Sequence, residues 1–184
     1  MRARGQNQAM TEPLIRPARA DDAPALSTLG RATFIETFVE GFAIPYPPAD
    51  LEPFLQASFG LETTTARLAD PAEAWWVAEV NGAVVAFATT GPNALPHPDG
   101  RPSHAELKRL YVAKSAQGLG LGTKLLAVAL DWMATNGDGA EWIGVWSGNL
   151  KAQKLYAAYG FEKAGEYEYP VGDWRDHEFI LRRG

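Results

Sequence analysis

The chain has no cysteine among its 184 residues, which removes disulfide frameworks, thiol nucleophiles, CxxC redox pairs and cysteine-bearing zinc sites together. That fits a reducing compartment. It also lacks a basic excess: 17 Lys plus Arg stand against 22 Asp plus Glu, a net charge of -5, so the electrostatic footprint of a nucleic-acid binder is missing. Its longest apolar runs, such as Ala83 to Ala88 and Leu125 to Leu130, fall far short of the roughly 18 residues a membrane-crossing helix needs, and no membrane partner is expected. Arg2 and Arg4 lead into polar residues rather than an apolar segment, so no secretory signal is read, Met10 is an alternative start, and residues 1–12 are expected to form a flexible extension. The expected location is the cytoplasm. His97, His104 and His177 share no ligand spacing, which leaves no expected metal site. No repeat, low-complexity tract or linker offers a second domain a place to begin.

What is present suits one folded domain: 46% of residues are hydrophobic and 21% charged, ordinary for a globular chain. Leu14 to Ala18 reads as a short strand. Asp21, Asp22 and Pro24 then signal a helix start, and Leu26, Leu29, Thr33, Phe34 and Phe38 recur at helical spacing up to Val39. Leu51, Phe54, Leu55 and Phe59 repeat that pattern in a second helix. Residues 75–80 and 83–88 flank Asn81-Gly82, the signature of a tight hairpin. The stretch from Gly91 to Ser103 holds four prolines and reads as a loop. His104 to Val112 is a strand whose apolar phase slips, which predicts a bulge near Arg109. A helix over 120–136, a strand over 140–146, a helix from an Asn149 cap to Tyr159, and strands over 162–169 and 177–181 about a Gly172-Asp173 turn complete a β-α-α-β-β-β-α-β-α-β-β order.

Between the sixth and seventh of these elements lies Gln117-Gly118-Leu119-Gly120-Leu121-Gly122. A glycine-rich turn feeding a helix N-terminus presents unpaired N–H groups and a dipole that favour a phosphate. The order Gly122-Thr123-Lys124 is wrong for a P-loop, and a dinucleotide fingerprint would need glycine at position 123. The segment does resemble the R/Q-x-x-G-x-G/A signature of the GNAT N-acetyltransferases, with Gln117, Gly120 and Gly122 in the defining positions. The preceding strand from Glu106 to Val112, the run Asn149, Ala152 and Tyr156, and Tyr159-Gly160-Phe161 extend the resemblance, which covers Leu14 to Arg182. Within that superfamily, Phe34 to Phe38, Trp142 to Trp146 and Gly172-Asp173 with Asp176 look like the PaiA-type polyamine acetyltransferases. The proline-rich loop and Ser147-Gly148 depart from that narrower pattern.

The resemblance implies a single α/β domain over 13–184: a mixed, mostly antiparallel twisted sheet of about seven strands with flanking helices, its central strands splayed to hold acetyl-CoA. It implies acetyl transfer to a primary amine of a small molecule, a polyamine first, by direct attack in a ternary complex, with no metal; it leaves room for a homodimer. Glu106 matches the general base and Tyr156 the acid that protonates the departing thiolate. Leu110, Tyr111 and Val112 would present backbone groups to the acetyl carbonyl and pantetheine, Gln117, Gly118, Leu119, Gly120, Leu121, Gly122 and Thr123 would cradle the pyrophosphate, and Asn149 with Tyr156 would line the pantetheine arm. Glu36, Tyr46 and Asp176 are the candidate acceptor contacts. Glu106 paired with Lys108 as a plain strand residue, Tyr156 as a packed aromatic and Asn149 as a plain cap are the ordinary alternatives. A protein N-terminus or lysine as acceptor, or a non-catalytic acyl-CoA-binding regulator, remain open functions.

Overall fold

The computed structural model describes residues 12–184; the alternative start at Met10 and nearly all of the expected N-terminal extension lie outside them. Seven strands form one sheet in the order β1-β2-β3-β4-β5-β7-β6, with β1 Leu14–Pro17, β2 Ala74–Val80, β3 Ala83–Pro92, β4 Ala105–Val112, β5 Glu141–Trp146, β6 Glu162–Val171 and β7 Trp174–Arg183. Every neighbouring pair is antiparallel except β4 and β5. Asn81 and Gly82 both take positive φ, 52° and 78°, the backbone a tight β2–β3 turn requires.

The α-helices divide between the two faces of this sheet. Helix α4, Leu121–Asn136, lays Leu121, Leu125, Leu126 and Met133 against Ala86, Ala88, Leu107 and Ile143. Tyr156 of α5, Leu150–Ala158, and Phe161 join the same cluster. On the other face, α1, Ala23–Phe34, buries Leu26 and Leu29 on Trp75, Val77 and Phe87. Full burial of each such side chain favours folding by roughly 1.5–3 kcal/mol. Helix α2, Pro48–Phe59, continues that layer, and an α3 over Leu61–Leu68 was not expected from periodicity.

Three departures from regularity shape the middle of the molecule. First, β4 and β5 pair only from Ala105↔Glu141 to Leu107↔Ile143 and then part, so the β5-facing backbone of β4 beyond Leu107 has no ladder partner. Second, Thr89 pairs with Arg109 and Thr90 with Leu107, which leaves Lys108 as the extra residue of a bulge, next to the expected position. Third, the helix expected to run to Val39 changes at Phe34 into a π-helical turn over Ile35–Gly41, a geometry that recurs at functional sites. β3 runs on to Pro92, shortening the expected loop, and β6 and β7 both outrun their expected ends.

Candidate active site

At the turn into α4, Gly118 and Gly120 hold left-handed φ values of 84° and 71°, and a Cβ built on either meets nothing within 4 Å. The turn is therefore an open shelf. Leu121 is buried at 1% and Leu119 packs on the same core, so their side chains anchor the shelf while the first-turn N–H groups of α4 have no intrahelical acceptor. Gln117 Nε2 donates to the Val112 carbonyl at 3.4 Å, tying the shelf to the end of β4. An open shelf at a helix N-terminus fits a pyrophosphate.

The part opened by the β4–β5 split is a cavity of about 180 Å³. Glu106 of β4, Tyr156 of α5, and Asp176 and Glu178 of β7 line it, and Phe34, Phe38, Phe54 and Phe59 close it on the helical side. Gly144 of β5 makes this approach feasible, because a Cβ there would sit 2.9 Å from the Tyr167 hydroxyl and 3.2 Å from Glu178 Oε2. Leu110, Tyr111 and Asn149 also face the cavity. Asn149 Oδ1 accepts from the Ala152 N–H at 3.1 Å, so it caps α5 at the edge of the cavity.

The carboxylates differ in what holds them. Glu106 Oε2 accepts from Lys108 Nζ at 2.7 Å and from the Ala94 N–H at 2.8 Å; the proline-rich loop thus clamps Glu106. Asp176 accepts from the Tyr46 hydroxyl at 2.5 Å on one oxygen and from Trp174 Nε1 at 2.9 Å on the other. Among the described residues, Glu178 accepts only from the Tyr167 hydroxyl, at 2.6 Å. Burial, only partly offset by that hydrogen bond and reinforced by the charges of Asp176 and Glu106, pushes its carboxyl up to about 7. Tyr156 is 7% exposed and burial raises its phenol, so the hydroxyl keeps its proton at neutral pH. Arg109 lies with its guanidinium carbon 4.6 Å from the Phe59 ring centre, and burial together with the like charge of Arg67 lowers its pKa.

Of the expected site residues, Glu106, Tyr156, Asp176, Asn149, Leu110 and Tyr111 meet at the cavity. Val112 packs into the main core instead. Two expected acceptor contacts stand off the wall. Glu36 accepts from the Lys114 N–H at 3.0 Å and ties the π-helical turn to the segment after β4; Tyr46 reaches the site only through Asp176. Glu178 and Arg109 were missed as site residues. Glu178 shares the period-two face of β7 with Asp176 and the buried Ile180, a signal hidden when the strand is started at His177. His104 accepts from Trp142 Nε1 at 2.9 Å through Nδ1, a packing role.

A sheet that opens beside a glycine-rich turn at a helix N-terminus is the framework of a coenzyme-A-dependent acyltransferase. The Acetyltransferase (GNAT) family model matches residues 33–161, more than half of the chain, and the chain belongs to that family: it is an acetyl-CoA-dependent N-acetyltransferase. An uncharacterized N-acetyltransferase from the pepI 3′ region of Lactobacillus delbrueckii subsp. lactis is 26% identical over 162 residues, covering 88% of this chain and 91% of the relative. An uncharacterized N-acetyltransferase of Mycobacterium tuberculosis is 29% identical over 150 residues, 77% of this chain and 89% of the relative. Among solved structures, the PaiA N-acetyltransferase of Thermoplasma acidophilum in complex with coenzyme A superposes with a TM-score of 0.71 at 19% identity, covering 93% of this chain and 98% of that one. The ribosomal-protein-alanine N-acetyltransferase of Brucella melitensis reaches 0.65 at 26%, covering 92% and 98%.

Proposed function

We propose that this transferase acetylates a primary amine of a small cationic molecule by direct attack in a ternary complex. The observation that carries the reading is the cavity at the strand split, lined by Glu106, Asp176 and Glu178 together with Tyr156. Acetyl-CoA, when bound, supplies the acetyl group as a thioester. The glycine turn from Gln117 to Thr123 holds its pyrophosphate, the unpaired backbone of Leu110, Tyr111 and Val112 takes the carbonyl and the pantetheine amides, and Asn149 lines the arm.

An alkylamine near pKa 10.4 is almost wholly protonated at pH 7, so its proton must leave before nitrogen attacks. Glu106 takes it, directly or through a water, and Tyr156 returns a proton to the departing sulfur. The nitrogen–carbon bond forms as the carbon–sulfur bond breaks, with no covalent acetyl-enzyme. A polyamine is the simplest acceptor with charge to match the carboxylates, and the PaiA neighbour supports that choice. The Brucella neighbour favours a second reading, a protein N-terminus.

Thiol release from acetyl-CoA over spermidine, a simple monoamine and an alanyl peptide tests the proposal. Small amines are expected to react, the di- and polyamines best; a preference for the peptide would move the assignment to the second reading, and no thiol release with any acceptor would overturn it.

A further inference from the structure

Arg109 lines the cavity and has no step in the mechanism above. Its guanidinium makes no hydrogen bond or ion pair among the described residues, and it lies over the face of Phe59. Arginine does not shed its proton at neutral pH, and its half-burial leaves a partly dehydrated charge that an anion entering the cavity would complete. A cation–π contact is worth only about 0.5–2 kcal/mol, too little to replace a carboxylate partner. The same cavity holds an opposite charge in a similar state. Among the described residues, Glu178 has one phenol donor, Tyr167, and no cation. Glu106 and Asp176 have two donors each.

Both Arg109 and Glu178 line the cavity, yet no ion pair joins them. They are held apart by the fold: Arg109 on β4 at the α2 end, over Phe59, and Glu178 on β7, fixed by Tyr167 in the gap that Gly144 leaves. Opposite charges kept separate across one small cavity are complementary to a molecule that carries both signs. We infer that the acceptor is dipolar, with its ammonium group at Glu178 and an anionic group, carboxylate or phosphate, on the Arg109 guanidinium. The planar fork of Arg suits either anion in two parallel hydrogen bonds. The coenzyme's own phosphates belong to the turn before α4. The inference rests on the small-amine reading and narrows it: a diamine with a carboxylate meets Arg109 as well as the carboxylates, whereas a bare polyamine leaves Arg109 unpaired.

Matched acceptors test this. Lysine and 1,5-diaminopentane differ only in the α-carboxylate, and O-phosphoethanolamine and ethanolamine only in the phosphate. For each pair we would measure kcat/KM with acetyl-CoA and, by calorimetry, affinity for the protein saturated with coenzyme A. The anionic member of at least one pair is expected to be favoured by about ten- to a hundred-fold, the worth of a charge-assisted hydrogen bond, and which pair responds identifies the anion. Arg109→Gln should erase that ratio, Arg109→Lys should keep part of it, and Glu178→Gln should weaken both members alike and leave the ratio. Equal use of both members of both pairs by the wild type, or a preference that survives in Arg109→Gln, overturns the inference while the amine reading stands. Binding preference without acetyl transfer keeps the Arg109 site and sinks the small-amine reading; neither binding nor transfer sinks both.

Discussion

Tyr156 joins two properties that seldom coincide, a buried ring and a phenol with no hydrogen-bond partner among the described residues, in the lining of the same cavity as Glu106. Packing alone would be served by phenylalanine, whose ring fills the same space against Phe161 at 6.4 Å. Tyr156→Phe is therefore expected to keep acetyl-CoA affinity while lowering kcat by about ten- to a thousand-fold, the range for loss of a general acid. Steady-state kinetics with calorimetric titration of the coenzyme separates the two; an unchanged kcat would return Tyr156 to a packing role. Glu106→Gln is expected to lower kcat/KM most near pH 7 and progressively less toward pH 10, where free amine no longer needs a base. A variant profile parallel to the wild type would remove Glu106 from proton transfer.

At the scale of elements, the turn into α4 and the split between β4 and β5 do most of the positioning. Gly120→Glu adds a side chain at φ 71° on the open side of the shelf, where its charge repels a pyrophosphate. Loss of acetyl-CoA binding with an unaltered circular dichroism spectrum is expected; unchanged affinity would exclude the shelf as the phosphate site. Both the turn and the hairpin at Asn81-Gly82 are legible in sequence, because glycine at a left-handed position is local chemistry. The bulge was legible too, since it breaks an alternation. Helix α3 was not: its buried position Thr64 is polar and bonds the Phe59 carbonyl at 3.3 Å, while Leu61 faces solvent at 51%, so the usual apolar stripe is absent. The acceptor side was half-legible. Phe34, Phe38, Phe54 and Phe59 show helical spacing that reads as core, and nothing local tells that one face of them closes a cavity. Arg109 and Glu178 acquire meaning only from their separation across that cavity, which strands distant in sequence create.

For the whole molecule, the same carboxylates set opposing dependences of stability on pH. Asp22 accepts from Arg16 at 2.7 Å, a pair continued to Glu79, and the Arg16 hydrogen bonds hold its carboxyl below the ordinary value of 3.8. Its contribution is present above that value and is lost as pH falls through the lower folded one. Glu178 runs the other way, with a folded pKa raised to about 7 from 4.5. Below 4.5 both the folded and unfolded carboxyl are protonated and nothing is lost. As pH climbs toward 7 the unfolded chain ionises first, drawing the equilibrium away from the fold, and above 7 the loss is complete at about 3 kcal/mol. A half-buried carboxylate thus costs stability at the pH where it can hold an ammonium group, a common exchange at functional sites. Glu178→Gln, which keeps the shape and sheds the titration, is expected to match the wild type near pH 4.5 and to exceed it by up to about 3 kcal/mol at pH 8. Urea unfolding at both pH values measures this directly. Parallel stability curves for the two proteins would mean that Glu178 ionises as freely in the fold as in the unfolded chain, and the cavity would then be wet enough to screen the charges assigned to it.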